Sequence, residues 1–228
     1  MSRRIDSYLY RKQRSTWEGA LLFPLFLLSI PYGWAVRIKA LLYHLGIKRS
    51  KHLPCPVISV GNLTVGGTGK TPLVMALAKG LTQRGVRVAI LTRGYKRRKA
   101  SGTVASDGQS ILLSPQESGD EPTLMSQTLR DIPVLVGKDR AATGQIALDR
   151  FHVDALLLDD GYQHLQLCRD LNILLIDSTL GFGDRYLLPR GILREPLSHL
   201  GRANLLLFTK VERPGTLYGA GKGRESSA

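Results

Sequence analysis

The stretch TVGGTGKTP, residues 64–72, restricts the possible folds of this chain more than any other. It follows an apolar run, PVISVGN, that reads as a strand ending in a glycine turn. It precedes TPLVMALAKGLTQRG, in which Leu73, Val74, Leu77, Ala78 and Leu81 recur at helical spacing and Gly85 supplies a stop. In a strand, glycine turn, Lys-Thr and helix in that order, backbone N–H groups and a helix N-terminus can gather phosphate oxygens. Thr64 stands where the pattern G-x-x-x-x-G-K-[ST] has its first glycine, and Val65 follows it. Gly66, Gly67 and Gly69, with Thr68 among them, let the backbone wrap closely around oxygen atoms. Lys70 is placed to neutralise the outer phosphates and the Thr71 hydroxyl to ligate magnesium. The bland alternative is a glycine-rich turn closed by a capping threonine. It leaves the lysine and the flanking strand and helix without a reason.

The remaining chain repeats the alternation. VRVAILTRG, IPVLVG, VDALLLDDG, LNILLID and ANLLLFTK read as strands, and EPTLMSQTLRD and DRAATGQIALDRF as helices. Continuous apolar strands alternating with helices predict an α/β fold of P-loop NTPase type, a mostly parallel sheet with helices on both faces. Residues 96–116 are polar and rich in Gly and Ser. They read as a mobile loop or hairpin with a weak strand at GTVAS. The tail from residue 212 to 228 is small and polar and reads as disordered. The expected organisation is a helical membrane-associated segment over 1–50, a nucleotide-binding domain over 51–211, and that tail.

The first segment differs in composition from the rest. GALLFPLFLLSIPYGWAV, residues 19–36, carries no charge, at the lower limit of length for a membrane span. Pro24 and Pro31 interrupt it. Arg3, Arg4, Arg11, Lys12 and Arg14 precede it, and Arg37 and Lys39 follow, so charge gives no clear crossing direction. Trp17, Tyr32 and Trp34 suit the headgroup level. The expectation is a broken amphipathic hairpin lying in a membrane interface, with a helix packed on its own domain as the alternative. The net charge is +14, from 32 Lys and Arg against 18 Asp and Glu. It favours an anionic partner: nucleic acid, an acidic membrane or a phosphorylated substrate. No groove-reading motif or aromatic-basic interleaving supports nucleic acid. Cys55 and Cys168 form no C-x-x-C pair and read as free thiols.

Other candidate residues cluster after strand ends, where ligands of such sheets bind. ALLLDDGYQH ends a strand in Asp159 and Asp160, the Walker B form in which an Asp holds magnesium directly or through water. Gln163 and His164 follow. SGDEP places Asp120 and Glu121 at a helix N-terminus, where favourable interaction with the helix dipole alone would account for them. Arg93 ends a strand beside a basic cluster, and Arg190 and Arg194 lie in a loop beyond another strand.

Taken together, SVGNLTVGGTGKTP, LTRGYKRR, SGDEP, DDGYQHLQLCRDLNILLID and LLPRGILREPLSHLGRAN resemble the tetraacyldisaccharide 4'-kinase family of lipid A biosynthesis in order and spacing. In that family Thr or Ser normally occupies the position of Thr64. The resemblance implies transfer of the γ-phosphate of ATP to the 4'-hydroxyl of a lipid A disaccharide precursor, at the cytoplasmic face of the bacterial inner membrane. It implies Asp120 as general base, with Glu121, Asp159 and Asp160 organising Mg2+ and Gln163 and His164 close by. Lys70 and Thr71 hold the β- and γ-phosphates, and Arg93, Arg190 and Arg194 are candidates for substrate contacts. The likeness stops near FTKV, whereas family members continue into a second lobe carrying a histidine that assists the aspartate. ATP binding is therefore expected more firmly than turnover. A non-catalytic nucleotide-binding remnant and a membrane-attached switch of the partitioning-ATPase kind are the alternatives, although Val65 occupies the position of the latter's signature lysine. No oligomeric state is specified.

Overall fold

A computed structural model describes residues 22–95 and 103–211. The N-terminal basic cluster with Trp17, the basic residues 96–98 and the tail lie outside the described residues. Seven strands form one sheet: β1 (Val57–Gly61), β2 (Val88–Thr92), β3 (Val104–Ser106), β4 (Val134–Val136), β5 (Ala155–Asp159), β6 (Leu171–Asp177) and β7 (Leu205–Thr209). Their order is β3-β4-β2-β5-β1-β6-β7. Every pairing is parallel except that of β3 with β4. β3 is the weak strand expected at GTVAS, an antiparallel edge on an otherwise parallel sheet.

The helices are α1 (Phe23–His44), α2 (Lys70–Thr82), α3 (Pro115–Ser118), α4 (Asp120–Thr128) and α5 (Arg140–Phe151), with a 3-10 helix over Leu197–Arg202. β2 and β5 are buried along their whole length, which explains why both read as unbroken apolar runs. One core packs α2 and α4 on one face of the sheet through Val74, Ala78 and Met125. A second packs α5 on the other through Ala141 and Ala147 against Leu91, Leu156 and Leu158. Each leucine so buried stabilises the fold by about 1.5–3 kcal/mol. α5 is capped by Asp139, whose Oδ1 accepts from the Ala141 and Ala142 amides at 3.0 and 3.1 Å. Within the expected loop over 96–116, the described residues 103–116 are less irregular than the sequence suggests. They contain β3, and α3 starts at Pro115 behind a Ser114–Glu117 capping box.

The N-terminal segment departs from the expected hairpin: α1 is one continuous helix of 22 residues. Pro24 falls at its first turn, where a missing N–H is no loss. Pro31 lies inside and leaves the Leu27 carbonyl without its helical donor on an exposed side of the helix. By length and composition α1 could cross a membrane; it has a mean hydropathy of 1.4 over 18 residues, of which 11% are buried. Phe23, Leu27, Leu28, Trp34, Ile38 and Leu41 are exposed on it.

Candidate active site

β5 runs beside β1 with Val60 opposite Asp159, so the loop leaving β1 and the two aspartates ending β5 meet at the carboxyl edge of the sheet. The glycine crest at Gly66 and Gly67 is exposed, while Thr64 and Thr68 are buried. Gly69 closes the loop at φ 85°, a left-handed conformation that a side chain disfavours, and α2 begins at Lys70. The loop is anchored on three sides. Thr64 bridges to Leu193, the Val65 amide donates to the Ile192 carbonyl at 2.8 Å, and the Thr209 hydroxyl donates to the Thr68 carbonyl at 3.0 Å.

Asn62, fully buried, organises the interior of this loop. Its Oδ1 accepts from Lys70 Nζ at 3.1 Å, its amide nitrogen donates to the Thr64 hydroxyl at 3.3 Å, and its carbonyl accepts from Gln163 Nε2 at 2.8 Å. Lys70 Nζ also lies 3.6 Å from Asp160 Oδ1. The Thr71 hydroxyl donates to Asp159 Oδ2 at 3.4 Å. Asp159 is 1% exposed and its Oδ1 has no partner. Burial, with the charges of Glu121 and Asp160, pushes its carboxyl up to about 7. A buried carboxylate oxygen without a donor, next to a hydroxyl and near a second acid, is a donor set that suits a hard cation. Among the described residues no group of three or more His, Cys, Asp or Glu surrounds a common point. That is compatible with Mg2+, which often takes only one or two carboxylates and completes its shell with phosphates and water.

Asp160 has a different environment. Arg194 Nη1 reaches both its oxygens, at 3.0 and 2.8 Å. Burial pushes this carboxyl up, but Lys70 and Arg194 outweigh burial and hold it below its usual value. Its φ of 53° turns the chain sharply after β5. The resemblance groups Asp160 and Gln163 with the metal. In the structure the Asp160 carboxylate is paired with Lys70 and Arg194, and Gln163 donates its Nε2 to the Asn62 carbonyl.

Asp120 and Glu121 are the exposed first residues of α4. A Cβ added at Gly119 would lie 2.6 Å from the Tyr95 carbonyl oxygen, so this turn packs on the chain leaving β2. Arg93, at the same end of β2, is exposed and close enough to Arg140 to disfavour its charge. His164 is held neutral, its value lowered to about 4 by burial and then by Arg140 and Arg169, and its Nε2 has no partner. Arg190 stacks on the Tyr186 ring, with its guanidinium carbon 4.1 Å from the centroid.

Asn62 and Arg140 were not singled out from the sequence. Arg140 is 2% exposed at the first position of α5, where the helix dipole disfavours a cation. It donates to the Gly137 carbonyl, and its Nε is buried without a partner. Burial lowers it to about 10, while the charges of Asp160 and Asp159 favour its protonated form. A cation at the wrong end of a helix was the available signal. A polar residue directly after a buried strand was the equivalent signal for Asn62.

Comparison with known proteins agrees with this geometry. A family model described as Tetraacyldisaccharide-1-P 4'-kinase matches residues 21–223. A tetraacyldisaccharide 4'-kinase of Pelobacter propionicus is 47% identical over 202 residues, covering 88% of this chain and 56% of that protein. One of Geobacter metallireducens is 50% identical over 194 residues, covering 85% and 57%. The chain thus spans about half the length of the curated relatives it matches. The crystal structure of LpxK from Aquifex aeolicus in complex with ATP superposes with a TM-score of 0.78 at 42% identity, covering 89% of this chain and 63% of that one. With a family model matching most of its residues and a solved relative sharing its fold, this chain belongs to the Tetraacyldisaccharide-1-P 4'-kinase family.

Proposed function

We propose that this chain binds ATP with Mg2+ and carries the phosphate-transferring site of a tetraacyldisaccharide 4'-kinase, directing the γ-phosphate to the 4'-hydroxyl of a tetraacyl disaccharide 1-phosphate. The observation that carries the reading is the meeting of Lys70 and Thr71 with a buried, half-satisfied Asp159 beneath an exposed glycine crest. In this reading the amides of residues 64–71 cradle the phosphates and Lys70 neutralises their charge. Thr71 and Asp159 hold the cation, with Glu121 beside them. Bound there, Mg2+ would neutralise charge building on the phosphate oxygens. Asp160, fixed by Arg194, holds Lys70 in position. Asp120, exposed at the head of α4, accepts the proton of the sugar hydroxyl. His164 and Arg140 shape the floor of the crevice, and Arg93 faces the incoming anion. α1 lies in the cytoplasmic leaflet of the inner membrane, which brings the crevice to a lipid acceptor.

Purified chain, radiolabelled ATP, Mg2+ and the disaccharide 1-phosphate lipid test the transfer, and ATP binding is measured separately. Label reaching the lipid with wild type and lost with Asp120→Ala supports the kinase. Normal ATP binding without labelled lipid limits the chain to nucleotide binding. Membrane attachment is read by sedimentation with vesicles, which deletion of residues 1–40 should abolish.

A further inference from the structure

Tyr32 and Lys39 stand two turns apart on one side of α1, while Leu27, Trp34, Ile38 and Leu41 lie exposed on the opposite side. Among the described residues these two are the α1 side chains that hydrogen-bond to the sheet domain. The Tyr32 hydroxyl donates to the Arg194 carbonyl at 2.7 Å, and Lys39 Nζ donates to the Gln163 carbonyl at 3.2 Å.

Both acceptors belong to residues whose side chains act on the phosphate site. Arg194 Nη1 holds both Asp160 oxygens, and Asp160 Oδ1 lies 3.6 Å from Lys70 Nζ. Gln163 donates its Nε2 to the Asn62 carbonyl at 2.8 Å, and Asn62 Oδ1 accepts from Lys70 Nζ at 3.1 Å. The two routes thus leave α1 at separate points and end on one ammonium group. A donor that holds a carbonyl fixes the plane of its peptide, and with it the direction in which the neighbouring side chain leaves the backbone.

Apolar burial gives little reason for either donor, because only 11% of the apolar window of α1 is buried. The Lys39 ammonium also stands where its charge is disfavoured. Burial of its head lowers its value, Glu195 opposes that, and Arg202, Lys48 and Arg93 add to it. An uncharged side chain would cost less there, and the Gln163 carbonyl is the contact that gives the cation a role.

Resting on the reading of residues 64–71 as a triphosphate cradle, we propose that Tyr32 and Lys39 are positioning residues for ATP. From α1 they fix the backbones of Arg194 and Gln163, and through Asp160 and Asn62 they set the place of Lys70. The N-terminal helix is therefore part of the support of the phosphate site, and its seat on the sheet domain sets how firmly a triphosphate is held.

The test uses the full chain in detergent micelles, with the affinity for ATP and Mg2+ read by equilibrium dialysis. Lys39→Met and Tyr32→Phe are measured alone and again in a Gln163→Ala background. Gln163→Ala keeps the carbonyl that Lys39 holds but cuts the route to Asn62. Lys39→Met alone should weaken ATP binding about three- to tenfold, the worth of one hydrogen bond, and Lys39→Arg should restore it. In Gln163→Ala, Lys39→Met should have no further effect, whereas Tyr32→Phe, which uses the other route, should keep its full effect. A merely structural role would lower affinity by the same factor in both backgrounds. That result for Lys39→Met, or an unchanged affinity in either single variant, would overturn the proposal while leaving the cradle in place. A wild type that binds no ATP would remove the cradle reading and the proposal together.

Discussion

The buried acid at the end of β5 makes stability depend on pH in an unusual direction. Asp159 is 1% exposed, one of its oxygens lacks a partner, and burial raises its carboxyl to about 7. An Asp in an unfolded chain titrates near ~3.9. Between those values the folded protein holds a proton that the unfolded chain has released. Stability therefore falls as pH rises from about 4 to about 7 and is level above that. A shift of about three units at ~1.36 kcal/mol each sets a ceiling of about 4 kcal/mol. Asp159→Asn keeps the shape and removes the charge. Urea unfolding of the metal-free, nucleotide-free protein in EDTA should find variant and wild type alike near pH ~4, with about 1.5 kcal/mol of the ceiling already lost by wild type at pH ~5. At pH 8 the variant should be the more stable, by up to that ceiling. Other titrating groups cancel in the difference. A difference that stays constant from pH 5 to pH 8 would mean that Asp159 is ionised throughout, and the reasoning from burial would fail.

Other perturbations test the remaining joints of the site. Lys70→Ala should abolish ATP binding measured by equilibrium dialysis; unchanged binding would show that the loop is not a phosphate cradle. Tyr162→Phe removes the hydroxyl that donates to the His199 carbonyl at 2.6 Å. It should cost about 1 kcal/mol in urea unfolding, and no loss would mean that water replaces the contact freely. Asp139→Ala deletes the cap of α5 and should also cost about 1 kcal/mol. Because Arg140 follows that cap, ATP affinity measured in the same preparation should fall as well if the two positions act on one crevice.

What the sequence could reveal depended on how local the cause was. Strands and helices announced themselves through period, since β5 and β2 are buried on both faces and α2 shows one apolar stripe. The phosphate loop and its facing aspartate were legible because their chemistry requires fixed neighbours. α1 was misjudged because a proline was weighed as a breaker, whereas Pro24 costs nothing in a first turn and Pro31 leaves only one carbonyl open at an exposed position. Long-range pairings were not legible. Nothing in the order of residues says that Arg194 takes Asp160 while Arg190, four positions earlier, stacks on Tyr186. That choice follows from the loop over residues 185–194 bridging back to Thr64, a contact made only once the sheet is assembled.

β7 ends the sheet, and Leu205, Leu206 and Phe208 leave it substantially open. Its last residue is Thr209, whose hydroxyl holds the Thr68 carbonyl. The outermost rung of the ladder is thus also a brace for the nucleotide cradle. Whatever comes to rest against that rung, whether another segment of polypeptide or a neighbouring molecule, would bear on the loop over residues 64–69 through Thr209. A bare rung would leave the same cradle free to slacken.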